Sequence, residues 1–379
     1  MGTPRAALKS YIFDAGQGSN AQVTELDAMK PSQIQRQIKD RIKGIKTISH
    51  FGADENKTFD LTDPCGNHDF WSLELLCSDF SDHSEMTNYK DILNWCLSTL
   101  LSSPTARLLV KEAAAEGWMI SISDREGYDF HLDVAERQII LDDNGLSATA
   151  LGRSDYFRNV LMVSLVRALR DVWQEKRHGG FDETYGPQEI LMLERVRAAD
   201  CDVMSILVAW ELRGEAQGDL WRHMIGSEDG DLAMAFSGHL ERNPASNFSG
   251  GALRTSFNQW YQSKERVNRC DHETLEYMDS LVRECTNTNP FGDKKLTPVG
   301  VEVLSCMPDK TAYLQGRGKE IMSDPFYAGL DEHINQTHLT QILYDIKVVR
   351  VQSVPFRDAG LASKIFPNGE FTREENAEA

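Results

Sequence analysis

The chain has 379 residues, room for one large domain or two smaller ones around a sizeable core. Its 41% hydrophobic and 26% charged content is that of a globular protein, and no apolar run reaches membrane-spanning length. The net charge of −18, from 58 acidic against 40 basic side chains, argues against sequence-independent nucleic-acid binding, which needs a concentrated basic footprint.

Residues 1–68 read as an N-terminal arm, partly disordered, with a short basic helix over Ser32–Lys46. The start MGTPRA lacks the apolar core of a secretory signal and the Ser or Thr of a myristoylation site, so a cytoplasmic location is the expectation. The seven cysteines are odd in number and form no CxxC, which suits reduced, buried thiols rather than a disulfide scaffold or a zinc finger.

Order begins near Asp69 with the apolar run Phe70–Phe80. Asn88–Leu101 has the spacing of an amphipathic helix, and Pro104–Glu116 a second that stops at Gly117. The period then changes. WMISISD (Trp118–Asp124) alternates, Glu126–Asp129 suits a turn, and Asp129–Asp143 gives one or two more strands closed by Asn144-Gly145. Strands that lead directly into a long helix predict a small antiparallel or mixed sheet beside helices.

That helix is Ser154–His178, opened by Ser154 or Asp155 as cap and stopped by Gly179 and Gly180. Leu161, Leu165, Leu169 and Val172 form its apolar face; Ser164, Arg167, Asp171, Gln174 and His178 form a polar stripe, read most simply as solvated. A second long helix spans Gln188–Arg213, with Pro187 at its first turn and Gly214 at its end. Short helices and turns follow, then helices over Leu253–Val267 and His272–Arg283. The pattern weakens from Asn287: TNTNPFGDKK (286–295) reads as a linker or long loop, followed by a C-terminal extension, 287–379, with a strand near Ile346–Val351 and an acidic tail.

Phosphate loops, dinucleotide fingerprints and nucleophile elbows are absent. No two histidines lie four residues apart; His333 and His338 are separated by five, on different helix faces. On the second long helix Asp200 shares an apolar stripe with Leu193, Val196, Val203, Met204 and Leu207, so its carboxylate needs a buried partner.

The order RALRDVWQ, Arg167–Gln174, resembles the HELRHAWQ-like helix of a family of uncharacterised bacterial proteins classed as zinc metallopeptidases, in which an EADA-like second helix supplies a further ligand. Leu169, Arg170, Trp173 and Gln174 match, as does Asp200 in RAADCD. Arg167 and Asp171 stand where the histidines would be, Ala168 where the catalytic glutamate would be, and Ala198 where the second helix's glutamate would be. The resemblance implies an α-rich α+β fold, a zincin-like core over residues 69–286 with a small sheet packed on long helices. It also implies lost chemistry. Arginine stays protonated and offers zinc no lone pair, and alanine cannot act as a base. No catalytic residue, metal or other cofactor is expected, and an unidentified protein is the expected partner, with neither nucleic acid nor membrane. In place of the metal, Arg167 is expected to pair with Asp171 one turn on and with Asp200 across the helix pair. Two other readings stay open: a hydrolase using Asp171, Asp200 and Asp202 with a distant histidine, and an unrelated α-rich interaction protein.

Overall fold

The alternation that begins at Trp118 folds as a four-stranded sheet of order β1-β2-β4-β3, made of β1 (Trp71–Ser72), β2 (Met119–Ser123), β3 (Phe130–Asp133) and β4 (Gln138–Asp142). The computed structural model describes residues 69–78, 86–124, 129–178, 184–215, 217–246, 250–284, 289–308 and 310–346, and short pieces at 349–351, 354–356, 364–365 and 371–372. The expected basic helix of the N-terminal arm and the acidic tail lie outside them. The sheet is mixed. β2 and β4 run parallel, with Ile120 opposite Ile139 and Ile122 opposite Leu141, and β1 and β3 flank them antiparallel. Its central strands are buried on both faces, so Ser121 and Ser123 are as enclosed as their neighbours Ile120 and Ile122. Asn144 and Gly145 close β4 with φ of 56° and 69°, left-handed values that Gly and Asn tolerate best.

Helices supply most of the remainder. Leu73–Ser78 (α1) precedes Tyr89–Leu100 (α2), which is capped by the Asn88 side chain accepting from Asp91 N at 2.9 Å. Pro104–Ala115 (α3) begins with Ser103 as cap and proline at its first position, and Gly117 turns the chain out of it at φ 79°. Ala148–Arg153 (α4) leads into Asp155–His178 (α5), where the Ser154 hydroxyl accepts from Phe157 N. Pro187–Gly214 (α6) returns antiparallel to it. Asp219–Gly226 (α7) and Gly230–Arg242 (α8) are the short helices expected next.

Two sequence expectations change here. The break between the next helices falls at Tyr261–Ser263, giving Gly251–Trp260 (α9) and Lys264–Glu284 (α10), because Ser263 caps the new helix by accepting from Arg266 N. Of the linker and long-loop readings, residues 289–296 take the second, as an anchored loop: Phe291 is 1% exposed, and Lys294 N donates to Thr184 O at 2.9 Å. The core continues past residue 286 through Pro298–Leu304 (α11), Gly318–Ser323 (α12) and Pro325–Ala328 (α13), burying Val301, Leu304, Tyr313, Ile321 and Tyr327. His333–Asp345 (α14) packs on a smaller cluster with α10, made of Ile190, Leu191, Leu275, Met278, Val282, Phe291, Leu339 and Ile342. The strand expected near Ile346–Val351 is β5 (Val349–Val351), central in a three-stranded sheet between β6 (Val354–Phe356) and β7 (Phe371–Thr372). Among the described residues, no helix is long and apolar enough to cross a membrane.

Candidate functional site: a buried charge seam between two helices

From Ser164 to Gln174 the polar stripe of α5 is not solvated, while the side chain of His178 lies outside the described residues. Ser164, Arg167, Asp171 and Gln174 are all buried, and the facing stretch of α6 buries Arg195, Arg197, Asp200 and Asp202 as well. Charges in such a place survive only when paired and hydrogen-bonded. The antiparallel register does the pairing: each step along α5 is answered by a step back along α6, so Arg167 meets Asp202, Arg170 meets Asp200 and Asp171 meets Arg197.

The middle pair is the most enclosed, with both side chains at 0% exposure. Arg170 Nε donates to Asp200 Oδ2 at 2.6 Å and Nη2 to Oδ1 at 3.2 Å. Gln174 Nε2 also donates to Oδ2, at 2.5 Å, and the Tyr313 hydroxyl to Oδ1 at 2.7 Å. Arg170 Nη2 further donates to the carbonyls of Leu304 and Cys306, at 3.1 and 2.9 Å, tying the segment after α11 onto the seam. Burial and the Asp200 charge hold the Tyr313 hydroxyl well above its ordinary pKa, so it remains a donor.

Towards the sheet, Arg167 serves three carboxylates: Asp129 before β3 at 3.2 Å, Asp202 at 2.9 Å and Asp229 before α8 at 2.5 Å. The Asp202 contact is ionic rather than a straight hydrogen bond, because Nε is not aligned with the oxygen. Asp202 is completed by Trp260 Nε1, which donates at 2.8 Å. Burial opposes the Arg167 charge, but Asp202, Asp229 and Asp129 outweigh it and raise the guanidinium pKa. Asp229 is the strained member. Burial pushes its carboxyl up to about 6 against the pull of Arg167, with Asp202 and Glu228 adding to the rise and Arg266 resisting it. At the other end Arg197 Nη2 holds Asp171 at 2.5 Å, with Glu175 and Glu194 at 3.7 and 3.9 Å.

The expected Arg167–Asp171–Asp200 cluster is therefore corrected. Asp200 does have its buried partner, but the partner is Arg170, and Arg167 and Asp171 are claimed by residues further along the seam in opposite directions. The helix-pair register causes the difference. Asp200 lies opposite the turn that carries Arg170 and Gln174, while Arg167 reaches Asp202. Asp171, Asp200 and Asp202 likewise do not converge, since each is held by a different arginine. Ala168 and Ala198 are buried in the apolar core. Asp129, Asp229 and Tyr313 carry no local signal that ties them to the seam, because they arrive from distant segments.

Zinc does not fit this arrangement: Arg167 is a guanidinium with no lone pair to offer, Asp171 is already bound to Arg197, and Ala168 between them is a buried methyl group. Of the residues that match the resemblance, Arg170, Gln174 and Asp200 form one connected buried network.

The fold is that of a helix-rich α+β protein in which a long buried helix lies beside a small mixed sheet and faces an antiparallel helix across a charged seam. The chain belongs to the putative metallopeptidase family DUF6782, whose model matches residues 77–314. That membership removes the reading of an unrelated interaction protein. No curated protein and no solved structure matches the chain.

Proposed function

We propose that this protein keeps a zincin-like metallopeptidase scaffold without peptidase chemistry and acts in the cytoplasm as a binding or scaffold module for a protein partner. The observation that supports the reading is the fate of the two histidine positions. Arg167 and Asp171 are both buried and both engaged in ion pairs with residues other than each other. A guanidinium shared among three carboxylates leaves no lone pair and no open coordination position for a metal-bound water. The test is cleavage of casein and of a peptide library by untagged protein, with added zinc and with a chelator. No chelator-sensitive cleavage is expected at any zinc concentration. Cleavage that the chelator abolishes would overturn the proposal.

A further inference from the structure

Away from the seam, two histidines and a glutamate converge where α10 and α14 pack together. His272 and Glu276 lie one turn apart on α10, and His338 comes from α14. One ligand atom from each, an imidazole nitrogen or a carboxylate oxygen, lies within 4.8 Å of the other two. We infer that His272, Glu276 and His338 form a zinc-binding site that clamps α14 onto α10.

Three features carry the assignment. The donor set comes first. Two neutral imidazoles and one carboxylate suit a tetrahedral zinc ion with the fourth position left to water. An i, i+4 pair on one helix places both of its donors on one face. At zinc–ligand distances of about 2.0–2.1 Å the donors of a tetrahedral site stand roughly 3.3 Å apart. The three donor atoms, each within 4.8 Å of the others, lie close to that spacing.

The second feature is availability. Among the described residues none of the three side chains makes a hydrogen bond or ion pair, although all three are half-buried. Three donors gathered beside a packed core without partners differ from the seam, where every carboxylate is claimed.

Rigidity is the third. Asn335, 1% exposed, donates from Nδ2 to Asn268 O at 3.3 Å. That bond joins the two helices one turn from the cluster and fixes their register. Leu275, Met278, Leu339 and Ile342, interleaved with the ligands, are buried in the smaller apolar cluster. His338 lies on an element beyond the family match, which ends at residue 314. It also stands apart from the charge seam, and its truth is independent of whether that seam is catalytically silent.

The experiment is zinc titration of the full-length, untagged protein by calorimetry after chelator stripping, repeated with cobalt to read coordination from visible absorption. One zinc per chain is expected, together with a cobalt spectrum of the tetrahedral type. Zinc should also raise the melting temperature, since it binds only where the helices are docked. His338→Ala, His272→Ala and the near-isosteric Glu276→Gln should each weaken binding by at least about tenfold, a shift of about 1.4 kcal/mol. His333→Ala, an exposed histidine on the same helix, should leave it unchanged. Absence of binding, an octahedral cobalt spectrum, or binding that survives His338→Ala and Glu276→Gln in folded protein would overturn the site. Chelator-sensitive cleavage lost in His338→Ala would instead support the site while refuting the non-catalytic reading of the protein.

Discussion

Replacing Arg170 by methionine should be among the most damaging single changes in the seam. The substitution strands an Asp200 carboxylate at 0% exposure, leaving only Gln174 Nε2 and the Tyr313 hydroxyl as its donors. It also removes the donor from two carbonyls, those of Leu304 and Cys306. Breaking a buried pair from one side costs about 3–5 kcal/mol, and each abandoned acceptor adds to that end of the range. An exposed pair such as Arg222–Asp219, at 75% and 74% exposure, contributes only about 0–1 kcal/mol by comparison. Against a total stability of roughly 5–15 kcal/mol, Arg170→Met should shift the urea midpoint sharply. Asp200→Leu should do nearly as much, and the double variant should lose clearly less than the sum, because neither partner is then left charged and alone. Urea unfolding of the four proteins, followed by circular dichroism, reads the cycle. Additivity within about 0.5 kcal/mol would mean that the two residues are not coupled, and the description of the seam would fail.

The same cycle on Arg167→Met and Asp200→Leu should come out additive, since those residues do not touch; a coupling above about 1 kcal/mol would contradict the register given above. The raised Asp229 carboxyl, about 6 against an ordinary 3.8, means that the folded state binds the proton more tightly than the unfolded chain. Its contribution is therefore fully present below 3.8 and is lost as pH rises through about 6. Wild type should lose about 1 kcal/mol between pH 5 and 7 that Asp229→Asn does not, and equal pH slopes for the two proteins would refute this. Phe291→Ala should cost about 3–5 kcal/mol in thermal or denaturant unfolding, whereas a slack linker at 289–296 would tolerate it without a measurable change.

The helices were legible where local chemistry punctuates them. Ser103-Pro104, Gly117, Ser154, Pro187 and Gly214 each mark a boundary by capping or stopping a backbone, and the structure places the ends within a residue or so. The break after Trp260 was harder to see, because Ser263 opens α10 without a Gly or Pro to mark the gap. At the seam, the sequence demanded a partner for Asp200 but did not name it. Helical spacing tells which residues share a face, while the partner depends on how far one helix slides along another, and no local signal encodes that offset. Asp129, Asp229 and Tyr313 lay beyond reach for the same reason. The half-visible case is His272 and Glu276. Their four-residue spacing stands in the sequence, but a lone His and Glu at that spacing carry no metal signal until His338 joins them as α14 folds back.

Arg170 and Tyr313 set an order on synthesis. The guanidinium and its aspartate are complete only when the carbonyls of Leu304 and Cys306 and the Tyr313 hydroxyl have arrived, more than a hundred residues after α5 has emerged. Contacts of such long sequence separation form late and slow folding. A nascent chain that has reached α10 thus holds the Arg170–Asp200 pair without the Leu304 and Cys306 carbonyls and the Tyr313 hydroxyl that complete it. The ribosome must deliver the last third of the family-matched region before the Arg170–Asp200 pair in its middle third can become dry.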